Sequence, residues 1–342
     1  LWNSRVGELF PQIHQLLSVG ITFEALLEKA KDFVQTAPLS KEAWIEMRMR
    51  DFKKSSSEFE LQLPGDRWLR GVHRRIPNVG TISLTFDNTE RKRVELQINR
   101  MNEQMVEDLS LAATMQRHLF TPLKDQGPVK IGYVFQPASE VSGDLYYLTT
   151  LPDGTVRFFL GDATGHGMAA AFMTVLAYGS LTDLSPHADT SECLHWLNNQ
   201  LVRHSLEGRF ITGLLMAIHP DGRVEMANAG HPPPLLVRAG STALESVTIG
   251  SLALGWFSDT NYPSETVSLA PGDRLVLYTD GLVEWEHHSK GVFGTDRLTQ
   301  LLATSHDESV QLLADRLFTS AADFANSPPD DDISIFCLEY TP

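Results

Sequence analysis

Aspartates recur in the C-terminal part of this chain where an apolar strand meets a turn. Arg157–Leu160 runs into Gly161-Asp162-Ala163-Thr164-Gly165-His166-Gly167, and Arg274–Tyr278 ends in Thr279-Asp280-Gly281. Pro328-Pro329-Asp330-Asp331-Asp332 leads into Ile333–Leu338, and Asp144 stands just before Leu145-Tyr146-Tyr147. A carboxylate beside a buried strand is costly, and a group of them repels itself unless cations bind. Hard divalent ions such as Mg²⁺ or Mn²⁺ take such oxygen ligands. Gly161, Gly165 and Gly167 leave room for an ion, water and a backbone carbonyl at one turn. No His/Cys spacing of the zinc type is present. The pattern reads as a two-metal carboxylate site. Asp-Gly is also an ordinary turn, and Asp153-Gly154 and Asp221-Gly222, lying between hairpin strands, read as turns. Asp162, Asp280 and Asp331 differ by sitting at strand exits, where both readings stay open. The residues alone do not separate Asp330, Asp331 and Asp332.

The elements that must position these residues fall in three zones: 1–87, 88–120 and 121–342. The last is rich in Gly and Pro turns, with strands at Ile131–Gln136, Leu145–Tyr147, Arg157–Leu160, Arg274–Tyr278 and Ile333–Leu338 and helices at Met168–Ser180 and Ser191–His204. The first zone has helical apolar spacing over Phe23–Gln35, then strand-like Ser57–Leu63, Arg67–Arg75 and Thr81–Phe86, separated by Pro64-Gly65-Asp66 and Pro77-Asn78-Val79-Gly80. His73, in a strand, is read as a surface residue rather than a ligand. Between the zones, Asp87 or Thr89 can cap a helix. Val94, Ile98, Met101 and Met105 then repeat at four-three-four spacing, a coiled-coil seam. Asp108 breaks it, and a stripe of Leu109, Ala112, Met115 and Leu119 resumes, read as packing on the larger zone. Methionines on the seam make it adaptable. The spacing predicts a parallel homodimer seam along this helix through Met105.

Arg67-Trp68-Leu69-Arg70, the turn after it, Gly80-Thr81 and the junction Asp87-Asn88-Thr89-Glu90-Arg91-Lys92 resemble the second half of a PAS domain. Leu1–Pro11 resembles the helix after the first hairpin of that fold. The resemblance implies a sensory or dimerising module whose opening strands lie upstream of Leu1. No haem or flavin signature is present.

The third zone resembles the SpoIIE/RsbU-like branch of the PPM metal-dependent phosphatases. The matching pieces occur in the family's order: Pro137 to Asp144, Gly161 to Gly167, Arg209-Phe210-Ile211-Thr212, Asn228-Ala229-Gly230-His231-Pro232-Pro233-Pro234, Pro271-Gly272-Asp273, Tyr278 to Gly281, Phe293-Gly294 and Asp331-Asp332-Ile333-Ser334. The similarity runs from about Leu109 to the end. It implies an α+β fold in which two stacked antiparallel sheets carry helices outside and metals between the sheets at one end. It implies that Asp162 bridges two divalent cations, Mn²⁺ or Mg²⁺, that Asp280 and Asp331 complete one shell, and that the Ala163 carbonyl ligates the second ion. Asp144 would hold a water of that site, and Asp332 could share the work. The implied reaction is hydrolysis of phosphoserine or phosphothreonine on a protein, with STAS-domain anti-anti-sigma factors of bacterial partner-switching pathways as the expected substrates. Ser142 and Ala163-Thr164 depart from the common pattern, but no acidic ligand is missing. The phosphate-gripping arginine of eukaryotic relatives has no evident counterpart. His166 and His231 would brace their loops or protonate the leaving oxygen.

The chain of 342 residues carries a formal net charge of −15, which disfavours nucleic acid and anionic membranes as partners. No long apolar run would span a bilayer. Cys193 and Cys337 lie in apolar surroundings and read as buried thiols, so a reducing cytoplasm is expected. Leu1 in place of Met reads as a chain that continues upstream. Two other classes compete: a PAS-linked two-metal nucleotide cyclase, which leaves Asp280-Gly281 and the terminal aspartates unexplained, and a non-catalytic signalling scaffold.

Overall fold

The computed structural model describes residues 2–120, 122–165, 167–204, 208–241, 243–305 and 308–342. The chain divides into two compact units, Leu1–Met105 and Val106–Pro342.

The first unit opens with α1 (Arg5–Leu9), α2 (Pro11–His14), α3 (Phe23–Ala30) and α4 (Lys41–Phe52). Thr22 and Ser40 cap α3 and α4, each accepting the backbone N–H three residues on. Helix α3 stops five residues before the periodicity predicts. Helix α4 was not legible because only Trp44, Ile45 and Arg48 of it are buried, one of them charged. Strands β1 (Ser56–Leu63), β2 (Arg67–Ile76) and β3 (Gly80–Asp87) form an antiparallel sheet in that order, as the turn signals predict. Leu27, Trp44, Ile45, Leu61, Leu63 and Leu69 make its core. His73 is 1% exposed, contrary to the surface placement read from its charged neighbours. In β2 alternate residues turn inward, and its inward face includes Leu69, Gly71 and His73.

Helix α5 (Thr89–Leu119) begins where Asp87 Oδ1 accepts the Thr89 N–H at 2.9 Å. Val94, Ile98, Met101 and Met105 are all more than half exposed on it. In the second unit the buried residues of α5 are Ala113 and Gln116, flanked by partly covered Leu109, Ala112 and Leu119. The expected Met115 is instead 63% exposed. Both residues are helically spaced from Ala112, and the polar one is buried because it finds backbone partners.

The second unit contains β4 (Val129–Gln136), β5 (Asp144–Thr150), β6 (Val156–Ala163), α6 (Met168–Thr182), α7 (Thr190–His204), β7 (Ile211–Ile218), β8 (Arg223–Ala229), β9 (Leu235–Val237), β10 (Leu244–Ser246), β11 (Ser264–Ser268), β12 (Arg274–Tyr278), α8 (Asp280–Glu284), β13 (Glu286–His287), β14 (Gly291–Val292), α9 (Thr295–Leu302), α10 (Val310–Ala325) and β15 (Ile333–Tyr340). One five-stranded antiparallel sheet runs β11-β8-β7-β6-β5, and a second runs β10-β9-β12-β15-β4. Helices α6 and α7 cover the first, and α10 covers β4 and β15 of the second. This is the layering that the resemblance implies. Strands β6 and β15 are buried along nearly their whole length, since each has a sheet on one face and helices on the other. Cys193 and Cys337 are buried and unbridged. Gly154 and Gly222 have φ of 85° and 86°, so the two Asp-Gly pairs read as turns are turns.

The N-terminus of α10 lies on β4 so closely that a Cβ at Gly132 would collide with the backbone of Val310 and Gln311. There the Gln311 amide accepts the Tyr133 N–H at 3.1 Å and donates to its carbonyl at 3.0 Å, closing the open edge of β4. Gly132→Ala is expected to lower stability by about 1–3 kcal/mol, because the obstructing atoms are main chain and cannot rotate away. Urea unfolding followed by circular dichroism would show a reduced midpoint at unchanged slope.

Candidate metal centre

Asp144 begins β5 and Asp162 lies near the end of β6, and the register places them directly opposite one another. Cross-strand partners project to the same face, and like charges there repel. That face meets the second sheet: Tyr146 and Phe158, on the same side as the two aspartates, both pack on Phe336 of β15. The second sheet brings its own acids to the same end. Strands β12 and β15 pair antiparallel with Tyr278 opposite Ile335, so Asp280 follows β12 beside the start of β15, where Asp331 and Asp332 stand. The approach is close enough that a Cβ at Gly281 would strike the Asp332 carbonyl.

Asp144 is 1% exposed, and its Oδ2 accepts hydroxyl hydrogens from Ser334 at 2.6 Å and Thr279 at 2.9 Å. Its Oδ1 is buried with no hydrogen-bond partner among the described residues. Burial, then the charge of Asp162, holds the Asp144 carboxyl well above its ordinary range. Burial, then Asp280, Asp331 and Asp332, pushes Asp162 from 3.8 up to about 8. Burial and then Glu284 raise Asp280. Among the described residues no ion pair with Lys or Arg reaches Asp144, Asp162 or Asp280. A cluster of buried and half-buried carboxylates with an orphaned oxygen, and with no ion-paired Lys or Arg among the described residues, fits a hard divalent ion. Among the described residues no three His, Cys, Asp or Glu side chains close on one point as a cage. Mg²⁺-type sites commonly take only one or two carboxylates and fill the rest with water.

Asp332 has a different task. Its Oδ1 accepts the Ala138 N–H at 2.7 Å, and its Oδ2 accepts from Gly143 N at 2.5 Å, Ser142 Oγ at 3.0 Å and Asp144 N at 3.4 Å. Both oxygens clamp the loop before β5, whereas Asp331 is exposed and accepts the Asp332 N–H at 2.8 Å. The Ala163 carbonyl faces Gly143, where an added Cβ would lie 3.1 Å from it. Asp330 is exposed, before β15.

His231 is braced. Its Nδ1 pairs with Thr212 Oγ1 at 3.1 Å, and Asn228 exchanges two hydrogen bonds with its backbone. Burial drives its imidazole down to about 3, so it is neutral. His166 lies outside the described residues. Asp273 accepts from Ala239 N, Ala270 N and Arg238, which makes Pro271-Gly272-Asp273 a structural turn.

Four contributors were not assigned from the sequence. Thr279 and Ser334 stand inside motifs whose acids drew the attention. Arg209 donates to the Thr164 carbonyl at 2.9 Å and holds the loop after Asp162. Gln116, 5% exposed on α5, accepts the Ser142 N–H at 2.9 Å and donates to the Ser142 carbonyl at 2.7 Å and to Thr174 Oγ1 at 2.9 Å. No sequence signal marks a glutamine as buried.

Two facing sheets with acids at one end between them define the fold of the PP2C-type phosphatases. The chain belongs to the SpoIIE family: the model for Stage II sporulation protein E matches residues 152–341, more than half of the sequence. The PAS fold model matches residues 1–96. The phosphoserine phosphatase RsbP of Bacillus subtilis is 31% identical over 189 residues, covering 52% of this chain and 45% of that protein. RsbU of the same organism is 24% identical over 243 residues, covering 70% of this chain and 71% of that protein. The chain thus spans less than half the length of RsbP and most of RsbU. The SiaA-PP2C domain of Pseudomonas aeruginosa superposes with a TM-score of 0.61 at 20% identity, over 70% of this chain and 98% of that one, which shows the shared fold.

Two outcomes are expected of this geometry. The raised carboxyl groups let the folded protein keep protons that the unfolded chain releases. Their contribution to stability is full below about pH 4 and is lost as pH rises through about 8. Mn²⁺ should displace those protons, so its stabilisation in melting experiments should be larger at pH 8 than at pH 5.5. Gln116→Ala strands the Ser142 backbone and should weaken Mn²⁺ binding by about 10–100-fold, the usual effect of losing a group that orients ligands. Calorimetric titration of both proteins checks this.

Proposed function

We propose that this chain is a metal-dependent protein phosphatase that hydrolyses phosphoserine or phosphothreonine on a protein. The observation that carries the reading is the opposed pair of buried Asp144 and half-buried Asp162, between the sheets beside Asp280 and Asp331, with no Lys or Arg ion-paired to Asp144 or Asp162 among the described residues. Two divalent cations bound there, Mn²⁺ or Mg²⁺, would supply Lewis acidity, activating water and neutralising phosphate. Asp162 would bridge them, Asp280 and Asp331 would complete one shell, and the Ala163 carbonyl would serve the other. Asp144, oriented by Ser334 and Thr279, presents its free Oδ1 to that site and would position the attacking water. Asp332 fixes the loop that carries Asp144. His231, neutral and braced, keeps its strand end in place beside Thr212, the residue paired with Asp162.

The substrate we infer is a phosphorylated STAS-domain protein of a partner-switching pathway. The similarity to RsbU and RsbP supports it, and so does an exposed aromatic surface beside the site. Phe210 stacks on Trp256 at 4.8 Å, and Trp256 on Phe257 at 5.5 Å, and both Trp256 and Phe257 are 52% exposed. Phe210 also accepts the N–H of Thr164, two residues beyond Asp162, through its carbonyl. Residues 1–87 would act as the sensory module, 88–120 as the linker and 121–342 as the catalytic domain. The exposed stripe Val94, Ile98, Met101 and Met105 suits a parallel dimer seam. A change in that seam would reach the site through Gln116, whose amide holds Ser142. No described helix is long and apolar enough to cross a membrane.

The test is release of p-nitrophenol from p-nitrophenyl phosphate with Mn²⁺, with EDTA, and with Asp162→Asn and Asp280→Asn. Turnover should require Mn²⁺ and vanish in both variants. Silence in every condition, including with a phosphorylated STAS protein, would overturn the enzymatic reading.

A further inference from the structure

The N-terminal unit buries a guanidinium that has no ion-pair partner among the described residues. Arg48 of α4 is 3% exposed, and His73 of β2 is 1% exposed. They meet at 3.1 Å between Arg48 Nη2 and His73 Nε2. Arginine can only donate, so Nε2 accepts and the imidazole proton sits on Nδ1. That Nδ1 is buried without a partner, as are Arg48 Nε and Nη1. The site therefore holds three unsatisfied buried donor atoms and offers no acceptor to them among the described residues.

Aromatic rings enclose the pair. Phe59 lies opposite Gly71 in the β1–β2 register, and a Cβ at Gly71 would run into its ring, so glycine lets the ring lie flat on the sheet. The ring stacks on His73 at 4.6 Å and carries the Arg48 guanidinium 3.7 Å from its centroid. Phe23 and Phe52, stacked on each other at 4.0 Å, present edges to His73 at 5.6 and 5.2 Å. The nearby acid, Asp51, is committed to Lys54 at 2.7 Å, and among the described residues no carboxylate lies within ion-pair distance of Arg48. Burial, partly offset by the charge of Asp51, lowers Arg48 to about 10; burial and then the charge of Arg48, again partly offset by Asp51, lower His73 to about 4. At neutral pH the pair thus carries one positive charge and a neutral imidazole.

A lone buried cation with dangling donors is among the costliest arrangements a core can hold. An aromatic face repays part of that, but it accepts no ordinary hydrogen bond from Arg48 Nε or His73 Nδ1. We propose that Arg48 and His73 form a binding site for a small monoanion, a halide or a short carboxylate, inside the PAS-like unit. One negative charge balances the guanidinium, and acceptor atoms satisfy the free donors. This site is separate from the carboxylate cluster of the second unit and does not depend on the phosphatase reading.

The test uses the full chain labelled with ¹⁵N-histidine, with the His73 signal assigned by its loss in His73→Phe. Sodium chloride, formate and acetate are titrated separately at constant ionic strength, with sodium sulfate as the dianion control. The His73 Nδ1–H resonance should move saturably with chloride, with the carboxylates or with both, and the responding salt identifies the class. Arg48→Met should remove the response. Absence of a saturable shift with all three monoanions, or an equal shift in Arg48→Met, would overturn the proposal. Should Arg48→Met fail to fold, the titration of the unsubstituted protein decides alone.

Discussion

Two carboxylates, Asp144 and Asp162, face one another across paired strands and point into the gap between two sheets. In that setting burial disfavours the ionisation of both; the charge of Asp162 adds to the penalty on Asp144, and Asp280, Asp331 and Asp332 add to it on Asp162. Much of the surrounding structure answers this conflict. The nearest polar groups on the opposite sheet are the hydroxyls of Ser334 and Thr279, which stabilise Asp144 without cancelling its charge. A lysine or arginine in their place would pair with the cluster directly. Asp144 is thus held by hydroxyls, with no ion-paired Lys or Arg among the described residues, beside a large hydrophobic core.

The loop before β5 is held by groups distant in sequence. Asp332 takes backbone and hydroxyl donors from Ala138, Ser142, Gly143 and Asp144, and so ties the first strand of one sheet to the last strand of the other. Gln116 supplies the Ser142 backbone with the partners that a neighbouring strand would otherwise provide. Gln311 does the same for Tyr133 on the edge strand β4. An amide side chain offers one donor and one acceptor in a plane, which matches a peptide unit. At Ser142 this device places a helix residue against the loop that leads into Asp144. A small rotation of that helix would break directional bonds rather than merely slide apolar surface. Such bonds weaken steeply with displacement and misalignment.

The two units treat buried charge differently. The second gathers like charges where cations can enter. The first isolates a single guanidinium against aromatic faces, with an imidazole that must accept its hydrogen bond. Neither arrangement improves packing, and each departs from the ordinary rule that buried charge is paired.

How much could be read from the chain alone follows from the range of the interactions. Strand alternation, caps and turn residues are local, so β1 to β3, α6, α7, β12 and the Asp153-Gly154 and Asp221-Gly222 turns were legible. The acids at strand exits were legible too, because an aspartate next to a buried strand breaks the local pattern. Other features depended on non-local partners. Met115 and Gln116 are equivalent in helical spacing to Ala112, and the buried position goes to the glutamine only because Ser142 waits opposite it. His73 sits among charged residues in sequence, yet strand alternation and Gly71 turn it inward onto Phe59. Asp331 and Asp332 are neighbours of one type, and their tasks diverge because adjacent residues at a strand start point to opposite sides. The sequence by itself determined the residue types, the periodicities and the order of the motifs. Tertiary structure decided which acid clamps, which glutamine supports and which histidine is buried, since each depends on backbone groups brought together from distant parts of the chain.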